Sequence, residues 1–257
     1  MNGEQTIEET PVIILCGGRG ARFDHMSQVM PKPLIKVAGK PMLGHIIDLF
    51  EQQGFRHFIL LTGYMHESIV EFTDKLWISR QIHSDTRINV LDTGIDSQTG
   101  DRIQQAGKLI GTHYCVITYG DGLCDVKMSN VIEHHVRHRS YSGHYIMPKV
   151  TLTAVKSPGR FGVIRFEDEP NNDWWIKCFD EKANDWINGG FMVAEHDVIK
   201  SASCSWESKC LQELARDGEL IAFKHEGFWM CMDTRRDLEQ IEKSVLDNNG
   251  QYPWIGK

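Results

Sequence analysis

Gly17-Gly18-Arg19-Gly20-Ala21-Arg22 is the stretch with the clearest chemical potential in this 257-residue chain. A loop with so little side chain lets backbone N–H groups close on phosphate oxygens. Arg19 and Arg22 lie within it, and Lys32 follows in Pro31-Lys32-Pro33, where two prolines stiffen the backbone around the ammonium. The pattern suits a small phosphorylated ligand; the alternative is a surface loop with solvated cations. Two familiar phosphate motifs are absent. Gly18 and Gly20 give G-x-G, but the third glycine of a dinucleotide fingerprint falls at Phe23, which disfavours a dinucleotide-dependent oxidoreductase. No Gly-Lys-Ser/Thr follows to make a Walker A loop.

Other reactive side chains point to less. His134 and His138 are four apart on a helical stretch, a spacing that binds zinc only with a third ligand, which the sequence does not indicate; a solvated helix face is the preferred reading. The seven cysteines, at 16, 115, 124, 178, 204, 210 and 231, are odd in number and form no C-x-x-C pair. Reduced, buried thiols are expected, Cys16 and Cys115 inside strand-like runs. No Ser/His/Asp or Cys/His nucleophile signature is present.

Alternating elements must position the loop. Val12-Ile13-Ile14-Leu15 is a short apolar run rich in β-branched residues, expected as a buried parallel strand emptying into the glycine loop. Pro41 should open a helix carrying Met42, Leu43, Ile46, Ile47, Leu49 and Phe50 on its apolar positions, with Gly54 as the stop. Strands are expected at 58–61, 88–91 and 114–118, and helices near 68–76 and 103–110. That order predicts a doubly wound α/β fold with a mostly parallel sheet. In such sheets ligands bind beyond the carboxyl ends of the strands, where both the glycine loop and Gly120-Asp121-Gly122 fall. Beyond residue 150 the pattern becomes strand-rich, at 151–155, 163–166 and 187–193. With no linker or repeat, 1–257 reads as one domain: an alternating α/β half over about 11–128 that carries the glycine loop, then elaborated elements over 129–257.

Composition excludes several classes. Lys and Arg number 28 and Asp and Glu 35, a net charge of −7, which argues against a protein that coats a nucleic-acid backbone. At 41% hydrophobic and 25% charged, the chain is ordinary globular material. No apolar run approaches the ~18 residues of a membrane span, and the acidic N-terminus lacks a signal-peptide pattern, so no membrane partner and a cytoplasmic location are expected.

The glycine stretch, with Pro31-Lys32-Pro33 and Gly39-Lys40-Pro41, resembles the signature of sugar-1-phosphate nucleotidyltransferases. Further segments are similar to the glucose-1-phosphate cytidylyltransferase branch of that family: Asp92-Thr93-Gly94, Thr99-Gly100-Asp101-Arg102, Tyr119-Gly120-Asp121-Gly122, Pro158-Gly159-Arg160-Phe161-Gly162, Ile187-Asn188-Gly189-Gly190-Phe191, Gly227-Phe228-Trp229 and Met232-Asp233-Thr234. The resemblance covers roughly 12–65, 91–128, 151–193 and 206–237. Ala21 stands where the family carries Thr, Phe23 where it carries Leu, and Ala183 where it carries Pro.

The resemblance implies attack by a sugar-1-phosphate oxygen on the α-phosphorus of CTP, with release of pyrophosphate. The nucleophile is already an anion, so positioning and charge neutralisation carry the reaction. The implied cofactor is Mg²⁺, which favours one or two carboxylates alongside phosphate oxygens. Asp121, between glycines at a strand end, can approach such an ion, though Asp-Gly is also a turn dipeptide. Asp233 is the implied partner ligand, its alternative role being an N-cap before Thr234. Arg22 is assigned to the triphosphate, Lys32 to phosphates near the α-position, and Lys182 to the sugar phosphate. Leu15, Gly17, Gly18, Gly20, Ala21 and Gly120 complete the nucleotide site, and Ser97, Thr99 and Arg102 match the cytosine-recognition loop. Glu181, Asn188, Gly162 and Gly189 are assigned to the sugar. Arg19 stays a solvated charge. The resemblance further implies a homo-oligomer that feeds activated sugars into polysaccharide synthesis. Use of another nucleotide or acceptor phosphate, and a catalytically silent nucleotide-sugar binder, remain the alternatives.

Overall fold

Every residue of the first apolar run is buried in strand β1 (Pro11–Leu15), which pairs in parallel with β4 (His57–Thr62) on one side and β6 (Tyr114–Tyr119) on the other. The computed structural model describes residues 5–18, 30–79, 81–140, 146–156, 163–166, 176–180 and 185–255. Between β1 and the first helix, a 3-10 turn at Lys32–Leu34 leads into a small antiparallel hairpin, β2 (Lys36–Val37) and β3 (Lys40–Pro41). Helix α1 (Met42–Gln52) buries all of the predicted apolar positions, and Gly54 takes positive φ just past its end. Pro41 precedes the helix as its N-cap rather than sitting inside the first turn.

Helix α2 (His66–Ile78) returns the chain to β5 (Arg87–Asp92), which extends the sheet in parallel beyond β4. Helix α3 spans Thr99–Ala106, four residues earlier than periodicity indicated. Its N-terminus is held by the 204–206 segment: Gly100 N donates to Cys204 O at 2.7 Å and Thr99 Oγ1 accepts from Trp206 N at 2.8 Å. Gly107 closes it, so Ile110 joins the core from a turn.

The second half completes the same sheet. After β7 (Gly122–Cys124) and α4 (Met128–Ser140) come β8 (Val150–Lys156), β9 (Val163–Phe166), β10 (Ile176–Asp180) and β11 (Trp186–Glu195). Helix α5 (His196–Ser201), a π-helical turn at Trp206–Cys210 and α6 (Leu211–Arg216) lead to β12 (Leu220–His225), β13 (Trp229–Cys231) and α7 (Arg235–Asp247). The seven-stranded order is β12-β8-β11-β6-β1-β4-β5. Only β11 runs antiparallel to its neighbours in this sheet. Two apolar layers cover the faces, one around α1 and Phe191, the other around α3 and Trp206. Strands β7 and β13 form a separate antiparallel ribbon, as do β9 and β10. Among the described residues no helix is long and apolar enough to cross a membrane.

Four of the described thiols, Cys16, Cys115, Cys124 and Cys210, are buried as expected, whereas Cys231 is half-buried and Cys204 departs from the expectation. Cys16 and Cys115 are buried, and burial pushes both above the ordinary thiol range; Cys124 is pushed up to about 12 for the same reason. Cys204 is exposed.

Candidate active site

The carboxyl ends of β1 and β6 and the loop after β5 open onto a cavity of about 640 Å³, lined by Leu15, Gly17, Gly18, Lys32, Ser97, Thr99, Arg102, Gly120 and Asp121 among others. Eight residues assigned to the nucleotide and Asp121, assigned to the metal, therefore converge on one space.

Lys32 and the two aspartates meet at its edge. The Lys32 ammonium donates to Asp121 Oδ2 at 2.6 Å and to Asp233 Oδ1 at 2.8 Å. The prolines on either side fix Lys32 in its 3-10 turn, while Asp121 sits between β6 and β7. Asp233 arrives through the β7–β13 ribbon: Met232 N donates to Asp121 O at 2.8 Å, which sets the two aspartates side by side. Asp233 is not the cap of α7. Thr234 is, with Asp237 completing a capping box and also accepting from Asp233 N at 3.1 Å. Burial opposes the charged ammonium, but the two carboxylates outweigh it and hold Lys32 above the ordinary lysine range. Two carboxylates already gathered around one positive charge are a donor set that fits Mg²⁺.

Arg102 is 4% exposed. Its Nη1 donates to Thr62 O at 2.7 Å and Thr93 Oγ1 at 2.5 Å, and its Nη2 to Gly17 O at 3.2 Å and Ile95 O at 3.3 Å. One guanidinium thus ties together the ends of β1, β4 and β5. Glycine is needed at 17 and 63 because a Cβ at either would strike that guanidinium. Burial lowers the arginine pKa, with Asp92 opposing. Ser97 Oγ donates to Thr93 O, so that loop hydroxyl is also bonded within the protein.

A second polar group on the cavity wall has no counterpart in the sequence reading. Glu207, in the π-helical turn, accepts from Tyr119 OH at 2.7 Å through Oε1, and from Thr99 Oγ1 at 2.8 Å and Ser205 Oγ at 3.2 Å through Oε2. The Thr99-Gly100-Asp101 segment docks the strip that carries it: Asp101 Oδ1 accepts from Cys204 N at 2.7 Å, beside the Gly100 and Thr99 contacts. No motif spacing points to Glu207; only the tertiary docking brings it in.

On the β11 side, Asn188 is exposed and its Oδ1 accepts from Gly190 N at 2.9 Å. Gly189 O accepts from Trp229 Nε1 at 2.7 Å, which explains the tryptophan's place in its motif. Gly190 takes φ +79 against the Tyr119 ring. Arg19, Gly20, Ala21, Arg22, Phe23, Gly162, Glu181, Lys182 and Ala183 lie outside the described residues. His134 and His138 face one another at 4.1 Å between ring centroids, with Phe223 beside His134. Among the described residues the one mixed metal-capable trio is Cys124, Asp125 and His225, and there His225 Nε2 and Asp125 Oδ1 are already bonded to each other at 2.7 Å.

A mostly parallel sheet whose strand ends hold a cation between two carboxylates, facing a glycine turn, is built to manage phosphate charge. Residues 11–240 match the family model described as Nucleotidyl transferase, and the chain belongs to that family and is a nucleotidyltransferase. It is 34% identical to the "Probable glucose-1-phosphate cytidylyltransferase" of Bacillus subtilis, over 94% of this chain and 98% of that protein. It is 32% identical to the glucose-1-phosphate cytidylyltransferase of Salmonella typhi, over 94% and 97%. In fold it is similar to the crystal structure of HddC from Yersinia pseudotuberculosis, with a TM-score of 0.69 at 22% identity over 92% of this chain and 99% of that one.

Proposed function

We propose that the protein transfers a cytidylyl group from CTP to glucose 1-phosphate, giving CDP-glucose and pyrophosphate. The observation that carries the reading is the Lys32 ammonium shared by Asp121 and Asp233 at the edge of the cavity. The names of the relatives at 32–34% identity supply the nucleotide and the sugar. A phosphate oxygen of the sugar attacks the α-phosphorus, the bond to the β-phosphate oxygen breaks, and pyrophosphate leaves with that electron pair. No side chain needs to act as nucleophile, so the protein contributes alignment and electrostatic stabilisation.

Asp121 and Asp233 would hold Mg²⁺, which supplies charge neutralisation across the phosphate oxygens. Lys32, released from its carboxylates, serves the α-phosphate. Arg22 faces the β- and γ-phosphates and the leaving pyrophosphate; Lys182 faces the sugar phosphate, with Glu181 and Asn188 on sugar hydroxyls. The same reading carries an assembly of several copies of the chain, which sedimentation tests. Pyrophosphate release measured with each nucleoside triphosphate against a panel of sugar phosphates tests the assignment. The largest kcat/KM is expected for CTP with glucose 1-phosphate; turnover with UTP or dTTP but none with CTP overturns the cytidylyl reading.

A further inference from the structure

Glu207 is a partly buried carboxylate on the wall of the cavity, and among the described residues its side-chain hydrogen-bond donors are the hydroxyls of Tyr119, Thr99 and Ser205. Among the described residues no lysine, arginine or histidine forms an ion pair with it. A carboxylate solvated by hydroxyls repels the phosphates of both substrates, so the part of a substrate suited to lie against it is a neutral donor. Its two oxygens offer about four acceptor positions, and three are filled by Tyr119, Thr99 and Ser205. The arrangement already solvates the carboxylate with the donor type that a sugar presents.

Its position narrows the ligand further. Thr99 belongs to the loop that resembles the nucleotide-recognition segment, and Asn188 to the strand assigned to the sugar. Glu207 bonds Thr99 directly, and the ring of Tyr119, another of its partners, lies against Gly190 of that strand. One chain of contacts therefore runs from the nucleotide side to the sugar side, with the carboxylate in the middle. Three successive residues, Thr99, Gly100 and Asp101, are spent on fixing the backbone that presents it.

We propose that Glu207 accepts a hydrogen bond from a hydroxyl of a bound sugar ring, and so selects substrates by their hydroxyl pattern. The inference rests on the nucleotidyl-transfer reading above. The ring is either the ribose of the nucleotide or the hexose of the acceptor, and the two are separated by analogues that lack single hydroxyls. The test compares wild type and Glu207→Gln with CTP, 2′-deoxy-CTP and 3′-deoxy-CTP, and with glucose 1-phosphate and its 2-, 3- and 4-deoxy forms. Steady-state KM and calorimetric binding of each ligand alone are both read. Glu207→Gln should raise KM for one parent ligand about tenfold, the scale of a charge-assisted hydrogen bond. It should add nothing further for the analogue that lacks the contacting hydroxyl, since a contact can be removed only once. A ribose contact shows this with a deoxy-CTP, a hexose contact with a deoxy-sugar phosphate. Equal losses on every ligand, or no loss on any, overturn the proposal, as does a loss that follows the base rather than a hydroxyl. If Glu207→Gln melts early, Tyr119→Phe, which removes one donor to the same carboxylate, is read against the same analogues. Failure of the wild type to turn over CTP would count against the functional reading alone, because the binding arm still reports on Glu207.

Discussion

Lys32 and Asp121 are joined at 2.6 Å, and the same ammonium reaches Asp233 at 2.8 Å. The side chains are 13%, 29% and 36% exposed, so the cluster is shielded on one side and open to the cavity on the other. Three residues from distant parts of the chain hold their charges in register before any substrate arrives.

Asp121→Asn and Asp233→Asn should each lower turnover by roughly 10²–10³-fold, the scale of one lost preorganised electrostatic element. Lys32→Ala should cost a similar factor for a different reason. It removes the ammonium that competes with a cation for the two carboxylates, so Mg²⁺ titration should show binding at least as tight as in wild type while turnover stays low. Near-normal turnover of either asparagine variant at saturating Mg²⁺ would make that aspartate structural.

Arg102 gives a contrasting expectation. Removing a guanidinium that donates to Thr62, Thr93, Gly17 and Ile95 should cost about 1.5–3 kcal/mol, a fall in Tm of about 3–12 °C. Arg102→Lys should recover little, because an ammonium cannot span four acceptors in a fork geometry. Activity should fall alike with every nucleotide. A loss confined to CTP at unchanged Tm would assign Arg102 to the base instead.

Gly190→Ala probes the wall between the strands. An alanine there must adopt left-handed backbone, and its Cβ would stand 2.5 Å from Tyr119 Cδ2. The backbone term alone costs about 1–2 kcal/mol, and the tyrosine ring has to move as well. A lower melting temperature together with a reduced kcat/KM is expected; a normal kcat/KM would show that the Tyr119 ring position is not used.

Thiol labelling at pH 8 should modify Cys204 in the folded protein. Cys16 and Cys115 should stay unmodified until denaturant is added, since both are buried and titrate above the ordinary range. Peptide mass mapping before and after unfolding checks this, and rapid modification of Cys16 would show that the floor of the cavity opens.

Much of this architecture is legible in short-range pattern. The β-branched run at 12–15, the apolar positions of 42–50 and the glycines that end strands follow from local rules, and β1, α1 and the parallel sheet follow from them. The shift of α3 to Thr99–Ala106 is not legible, because its start is fixed by backbone contacts with residues 204–206. Lys32, Asp121 and Asp233 could each be named from their motifs, but their meeting depends on the β7–β13 ribbon, a pairing of three-residue strands too short to show periodicity. Glu207 stayed hidden for the same reason: its chemistry comes from Tyr119, Thr99 and Ser205, which only the fold gathers around it.

The central claim is that a sugar-phosphate oxygen displaces pyrophosphate from the α-phosphorus of CTP. Glucose 1-phosphate carrying ¹⁸O in its phosphate oxygens, incubated with CTP, Mg²⁺ and the protein, tests it in one mass spectrum. The account predicts CDP-glucose that retains every labelled oxygen, and pyrophosphate that contains none. Label in the pyrophosphate, or no CDP-glucose from CTP, would contradict it.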